Sequence, residues 1–385
     1  MEKQKNIPQL RFPDFKGEWE KKKLGELSAI NPTTDKLPEK FIYIDLESVI
    51  NGDLTKEVFV FKNAAPSRAQ RVLERDDILF QMVRPYQKNN LYFDKSGDYV
   101  ASTGYAQIKT KQNSRFIYQY LHLQKFVDEV IERCTGTSYP AINSKDLAKI
   151  SIRYPSLPEQ QKIASFFTAI DLKISQLKRK KILLEQYKKG VMQKIFSQEI
   201  RFKDDNGQEF PKWEKRKIRE LFRVTRGNVL ATNNLKSEKE FAFCYPVYSS
   251  QTTNNGLLGY YNDYLFEDCI TWTTDGANAG DVNYRKGKFY CTNVCGVLES
   301  KEGYANQCIA EILNSIAKRH VAYVGNPKLM NNVMAGIEIN IPASITEQIK
   351  ISNFLSAIDD KINHTQKQVE KAEVWKKGLM QQMFC

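Results

Sequence analysis

Glu159-Gln160-Gln161-Lys162-Ile163 and Glu347-Gln348-Ile349-Lys350-Ile351 are one motif met twice. The match runs on without a gap. Phe166 answers Phe354, Ala169-Ile170-Asp171 answers Ala357-Ile358-Asp359, and Lys173-Ile174 answers Lys361-Ile362. It closes with Tyr187-Lys188-Lys189-Gly190-Val191-Met192-Gln193 against Trp375-Lys376-Lys377-Gly378-Leu379-Met380-Gln381. A second repeat opens each half: Trp19-Glu20-Lys21-Lys22-Lys23-Leu24-Gly25-Glu26-Leu27 matches Trp213-Glu214-Lys215-Arg216-Lys217-Ile218-Arg219-Glu220-Leu221. The unit occurs twice and not many times, so the chain is a duplicated domain and not a solenoid.

The repeated segments read as long helices. Apolar residues of the first copy fall at Ile163, Phe167, Ile170, Ile174, Leu177, Leu184 and Val191. Those of the second fall at Ile351, Leu355, Ile358, Ile362, Val369 and Leu379. Steps of three, four and seven make the seam of a coiled coil. Lys181 and Lys188 interrupt the first seam, and Thr365 and Lys376 the second. Pro155 and Pro158 precede one helix and Pro342 the other, marking entry points. Each helix is about 38 residues, or about 57 Å, long. The natural partner of such a helix is its sequence twin. Antiparallel pairing gives a pseudo-two-fold tandem repeat.

Between opener and helix lie residues 28–154 and 222–341, alike in order and unlike in content. Strand-like runs are Phe41–Asp45, Glu57–Phe61, Ile78–Val83 and Tyr99–Ile108 in the first, and Phe243–Tyr248, Cys269–Thr274 and Lys288–Leu298 in the second. A helical stretch follows each set, Arg115–Glu132 and Asn306–Lys318, then a short strand, Ile150–Tyr154 and Ile337–Ile341. The fold class expected is α+β. The chain divides into 1–155, a first globular domain; 156–197, a central helix; 198–342, a second globular domain; and 343–385, a C-terminal helix.

Composition points to the partner. The 385 residues carry 58 Lys and Arg against 45 Asp and Glu, a formal charge of +13. A surface so basic favours nucleic acid. No run approaches the roughly 20 apolar residues of a membrane span, and no secretory leader is visible, so a cytoplasmic protein with no membrane partner is expected. Seven cysteines are an odd number without a Cys-x-x-Cys pair; Cys291 and Cys295 lie in a strand-like run with no His nearby, which speaks for reduced thiols over zinc.

The loops carry side chains suited to nucleic acid: Arg for guanine edges, Asn and Gln for adenine edges, and Lys, Ser, Thr and Tyr for phosphates. In the first domain the candidates are Arg84, Tyr86, Gln87, Lys88, Asn89, Thr137, Ser138 and Tyr139. In the second they are Ser250, Gln251, Asn254, Thr274, Asn278 and Lys328. Enzymatic constellations are missing. There is no phosphate-cradling Gly-x-x-x-x-Gly-Lys loop and no Asn-Pro-Pro-aromatic run. His122, His320 and His364 are scattered without partner spacing. No catalytic, cofactor-binding or metal-binding residue is assigned.

Gly136-Thr137-Ser138-Tyr139-Pro140, Leu157-Pro158-Glu159-Gln160-Gln161-Lys162-Ile163, Lys189-Gly190-Val191-Met192-Gln193-Lys194-Ile195-Phe196 and the opener Pro8-Gln9-Leu10-Arg11-Phe12-Pro13 resemble motifs of the specificity subunits of Type I restriction–modification enzymes. In the second half, Gly325-Asn326-Pro327-Lys328-Leu329 stands where Gly-Thr-Ser-Tyr-Pro is expected. The resemblance implies two target-recognition domains, each reading one half of a bipartite, asymmetric site in double-stranded DNA. It implies helices that act as a spacer and dock two methyltransferase subunits, with restriction–translocation subunits joining them. S-adenosylmethionine, ATP and Mg²⁺ then belong to the partners, and adenine is the base modified. Modules reading one face of DNA sit about one turn, roughly 34–36 Å, apart, a separation that helices of about 57 Å can hold. The competing readings are a stand-alone DNA-binding regulator or architectural protein, and a nuclease component with an unrecognised site.

Overall fold

The computed structural model describes residues 6–33, 36–250 and 253–385. Two long helices dominate it, Leu157–Phe196 and Ile345–Met383. The chain forms two compact units, and each helix contributes to both. One unit is Met1–Arg179 with Gln366–Cys385; the other is Lys180–Thr365. The helical segments at 156–197 and 343–385 are therefore not units of their own: each is shared between the two.

In the first unit two four-stranded sheets flank the core. One runs Val58–Phe61, Lys40–Ile44, Tyr99–Ser102, Ala69–Val72, with its central pair parallel. The other is antiparallel: Ser28–Ile30, Tyr105–Thr110, Ile78–Gln81, Leu91–Tyr92. The run expected at Tyr99–Ile108 is two strands, because Gly104 turns the chain between sheets. The helical stretch expected at Arg115–Glu132 is two helices, Ser114–Tyr120 and Gln124–Glu132, broken where Leu121 is buried and Leu123 starts a new turn in extended conformation.

The second unit gathers six strands into one sheet, in the order Arg223–Arg226, Cys295–Glu299, Phe266–Thr273, Val282–Cys291, Tyr245–Tyr248, Leu257–Tyr261. The expected strand Lys288–Leu298 is broken at Thr292–Val294, so Cys291 and Cys295 end one strand and begin another. Both are free thiols in an apolar cluster, and burial pushes Cys295 up to about 11. Helix Gln307–Ala317 covers the sheet.

The repeated motifs do the same work in each unit. The opener strand pairs antiparallel with the strand before the long helix: Glu20–Lys23 with Ser151–Tyr154, and Glu214–Lys217 with Glu338–Ile341. Glu26 and Glu220 cap the short helices that follow, each accepting the N–H three residues back. Gln160 and Gln348 are fully buried at the start of the long helices. Each donates to a proline carbonyl, Pro155 or Pro342, at 2.8 Å, and each accepts from an asparagine, the Asn113 N–H or the Asn306 amide. Those asparagines cap the helix of the globular domain. Gln thus fastens the domain to its long helix.

Glu159 and Glu347 are equally buried. Arg11 clamps Glu159 with two bonds of 2.7 Å, and Arg201 reaches Glu347 at 3.5 Å. Beside each arginine a phenylalanine meets the helix edge-on, Phe12 on Phe166 at 5.8 Å and Phe202 on Phe354 at 5.7 Å. The repeat therefore extends upstream of the opener, to Leu10-Arg11-Phe12 and Ile200-Arg201-Phe202.

Within each unit, the start of one long helix packs antiparallel on the end of the other. In the first, Ile163, Phe167, Ile170 and Ile174 share a cluster with Leu379, Met380, Met383 and Phe384; Asp171 meets Lys376 and Lys178 meets Glu373. In the second, Ile351 and Leu355 share a cluster with Val191 and Ile195. Leu177, Ile358 and Val369 are buried, whereas Leu184, Val191, Ile362 and Leu379 are half-buried.

The seam interruptions are polar contacts. Lys376 pairs with Asp171 at 2.6 Å, and Gln119 donates to the same carboxylate. Lys188, its repeat equivalent, lies 2.6 Å from Glu311 and 2.8 Å from Asp359. Burial works against its charge, but hydrogen bonds to Asp359 and Glu311 outweigh that and raise its pKa. Thr365 is buried and returns its hydroxyl to the Lys361 carbonyl. Lys181 is partly exposed and pairs only with Glu185.

Replacing Lys188 with Met leaves two carboxylates facing each other without a cation. The expected cost is roughly 3 kcal/mol, read as a lower calorimetric unfolding midpoint. An unchanged midpoint at neutral pH contradicts this role.

Candidate nucleic-acid interface

Two loops of the first unit are tied edge to edge. Val83 bridges Ala141, Thr135 bridges Ala141, and the Arg84 N–H donates to Pro140 at 2.8 Å. Arg84 adopts a left-handed backbone (φ 53°), uncommon for a side-chain-bearing residue, and Gly136 has φ 88°. This geometry lays the Arg84 guanidinium over the Tyr139 ring, 4.2 Å from its centroid. Arg84 Nε is buried and makes no hydrogen bond. Thr137, Ser138, Tyr139, Tyr86 and Gln87 are exposed around it.

Other candidates are held by the protein. Lys88 donates to the His122 carbonyl and the Gln124 amide, and burial lowers its pKa. Asn89 accepts from the Asn51 N–H and donates its own N–H to Gln81. These two shape the loop while Arg84, Tyr86, Gln87 and the 137–139 turn present it.

The second unit repeats the frame. Asp275 bridges Lys328, Ala322 bridges Lys328, and the Gly276 N–H donates to Pro327 at 2.9 Å. The bonds Ile142 to Met82 and Leu329 to Thr274 also correspond. The pairing equates Pro140 with Pro327 and therefore Gly136-Thr137-Ser138-Tyr139 with Tyr323-Val324-Gly325-Asn326. This corrects the expected alignment by two residues: Asn326 takes the place of Tyr139, and Gly276 that of Arg84. The stacked pair of the first unit has no counterpart at these positions.

Lys328 is exposed and 3.8 Å from Asp275. Asn254 is exposed in a left-handed turn. Asn278 donates to the Ser250 carbonyl and lines a cleft; Ser250 is half-buried. Thr274 is wholly buried, its hydroxyl 2.6 Å from Asp275 and 3.0 Å from the Val294 carbonyl. Its hydroxyl is turned to the protein and holds the loop. Gln251 lies outside the described residues.

Sequence reasoning passed over the cleft itself. Its volume is about 290 Å³, and its walls include Ser249, Asn255, Thr273, Asn283, Arg285 and Asn314. Arg285 is 8% exposed; it donates to the Thr271 hydroxyl and the Asn255 carbonyl and stacks 3.8 Å over Tyr248. Nothing local marks it, because it sits mid-strand in Val282–Cys291, opposite a register shift between Glu267 and Cys269.

Two α+β domains carry one loop frame with different side chains upon it, a duplicated scaffold. Known proteins resemble it in sequence and in fold. The family described as the Type I restriction modification DNA specificity domain matches residues 16–186 and again 211–373. A putative type I specificity subunit of Mycoplasma pneumoniae is 37% identical over 155 residues, 39% of this chain and 49% of that protein, so the chain spans about half the length of that relative. Another from the same organism is 31% identical over 225 residues, 56% of this chain and 84% of the relative. The crystal structure of a Type I restriction–modification S subunit from M. genitalium matches with a TM-score of 0.68, over 98% of this chain and 99% of that one, at 16% identity, a likeness of fold. The chain belongs to the Type I restriction–modification DNA specificity family.

His122 lies behind the first loop frame: its carbonyl holds Lys88, and its ring Nδ1 lies 2.8 Å from the Tyr118 carbonyl. Burial lowers its pKa from 6.5 to about 4. The folded state therefore refuses a proton that the unfolded chain accepts. Stability is full above pH 6.5 and falls as pH drops toward 4, by about 3 kcal/mol in all. Thermal unfolding between pH 7 and 4.5 should fall less steeply for His122→Gln; parallel curves for the two proteins would count against it.

Proposed function

We propose that this chain is the non-catalytic DNA-reading subunit of a multi-subunit methyltransferase–endonuclease of the cytoplasm. Each globular domain reads one half of a bipartite, asymmetric site. The long helices set the number of unread base pairs and dock two methyltransferase subunits, which restriction–translocation subunits join. S-adenosylmethionine, ATP and Mg²⁺ are held by those partners, and adenine is the base modified. The observation that carries this reading is the loop frame repeated in both units with different occupants, Arg84 and Tyr139 in one and Gly276 and Asn326 in the other. A common frame with unlike side chains suits two unlike half-sites.

Docking has its own support. Tyr187 and Trp375 are repeat equivalents, one in each unit, and both are more than half exposed on their helices. Large aromatics exposed on a polar helix are the residue types that anchor protein interfaces. A pair of them suits two copies of one partner. No helix of the described residues is long and apolar enough to cross a membrane.

The test is co-expression with a methyltransferase subunit followed by genome-wide mapping of modified adenines. A bipartite motif that vanishes on deletion of this chain is expected. Exchange of residues 28–154 for those of a relative should change one half of the motif alone. A motif independent of this chain, or a symmetric one, overturns the reading. Arg84→Ala should weaken binding to the cognate duplex by roughly 1–3 kcal/mol, measured by fluorescence anisotropy. Trp375→Ala should leave a complex with one methyltransferase subunit in place of two by native mass spectrometry.

A further inference from the structure

Buried charges in proteins are paired, because desolvating an ion without a partner is costly. Arg285 breaks that rule. It is more than nine-tenths buried, and among the described residues no carboxylate pairs with it. Its partners are neutral: a hydroxyl, a carbonyl and an aromatic face. Among the described residues the cleft it lines contains one carboxylate, Asp281, and Lys318 pairs with that at 2.6 Å. Three of the remaining wall residues carry groups that can donate. Asn314 accepts the Val282 N–H with its carbonyl oxygen, so its NH₂ is the group left to donate. Ser249 and Asn283 add a hydroxyl and a second amide.

In the first unit a protein side chain occupies the equivalent place. Gln81, which the loop pairing equates with Thr273, is buried and spends its amide on Gln87 and on the Asn89 N–H. Thr273 is two heavy atoms shorter, and the cleft lies beside it. The position is closed in one domain and open in the other.

We propose that the Arg285 cleft of the second recognition domain is a phosphate socket that seats one phosphodiester of bound DNA. It takes a compact anion and reads no base. The inference rests on the DNA-reading function above, and it adds that the two domains hold the backbone differently. The cleft opens among Ser249, Asn255, Asn278 and Thr273, in the loops that carry the candidate DNA-contacting residues. A guanidinium stacked on Tyr248 and fixed by two hydrogen bonds is already oriented before an anion arrives.

The test uses the full chain in complex with its methyltransferase subunit. Affinity is measured for a cognate and an unrelated duplex across a salt series, for wild type, Arg285→Gln and Thr273→Gln. Thr273→Gln leaves the hydrogen bonds of Arg285 intact and fills the cleft as Gln81 does, so it serves if the arginine variant fails to fold. Both variants should bind both duplexes roughly tenfold more weakly. For Arg285→Gln the salt slope should drop by about 0.9, as it does when the protein neutralises one phosphate fewer, and the methylated motif should stay the same. A merely structural arginine lowers the unfolding midpoint and leaves the slope untouched, which overturns the proposal. A changed motif overturns it too, since the arginine then reads a base. Inorganic phosphate that stabilises wild type but neither variant, with duplex affinity unaltered, assigns the cleft to a free anion and rejects the DNA backbone. If the wild-type complex binds no duplex, the DNA-reading function itself fails. If it binds and neither variant differs from it, only the socket fails.

Discussion

A helix of forty residues cannot cover its own apolar stripe. Here the stripe of each long helix is covered half by half, and each half is met by the opposite end of its repeat twin. In the first unit this brings Met380, Met383 and Phe384 onto Ile163, Phe167 and Trp19. In the second it brings Val191 and Ile195 onto Ile351 and Leu355. An apolar seam alone tolerates sliding, because one aliphatic contact is much like the next. The Lys376–Asp171 pair and the Lys188–Glu311–Asp359 cluster do not, since a displaced lysine leaves partly buried carboxylates unpaired. Hydrophobic burial supplies the adhesion, and these two polar points fix the alignment.

The same division of labour governs each domain. The repeated Glu-Gln pairs are spent on the scaffold: Gln160 and Gln348 join domain cap to helix start, and Glu159 and Glu347 anchor the arginine of the preceding segment. Fully buried, each with at least one hydrogen bond to its own domain, they fix the frame and leave the loops free to differ. That is why a chain can keep one architecture while Arg84 over Tyr139 gives way to Gly276 beside Asn326. The frame and the side chains it carries are thus separable: the hydrogen bonds that build it run through the backbone and leave the side chains of residues 137–139 and 323–326 exposed.

The helices, the duplication and the α+β order were legible in the sequence because each rests on periodicity or on identity between copies. The loops were harder. In the second unit the glycine-led motif reads two residues late, since Gly325-Asn326-Pro327 imitates it while hydrogen bonding aligns the prolines. Thr274 reads as a surface loop residue, yet its hydroxyl is consumed by Asp275 and Val294. The repeat of Arg11-Phe12 at Arg201-Phe202 is short and surrounded by unlike residues, so only the shared contact to a buried glutamate reveals it. Arg285 had no local signal at all: what distinguishes it is the lack of a counter-ion, a property of the tertiary surroundings.

The way the chain is divided also dictates an order of assembly. The second unit, Lys180–Thr365, is one continuous stretch. The first is not. Its core includes Met380, Met383 and Phe384, with the Phe384 ring set against Trp19, Phe116, Tyr120 and Phe167. During synthesis the domain that emerges first must therefore wait, its aromatic core open on one side, until Phe384 has left the ribosome. Every residue of the second unit has been made once Thr365 is joined to the chain, whereas the meeting of Trp19 with Phe384 has still to wait for Phe384.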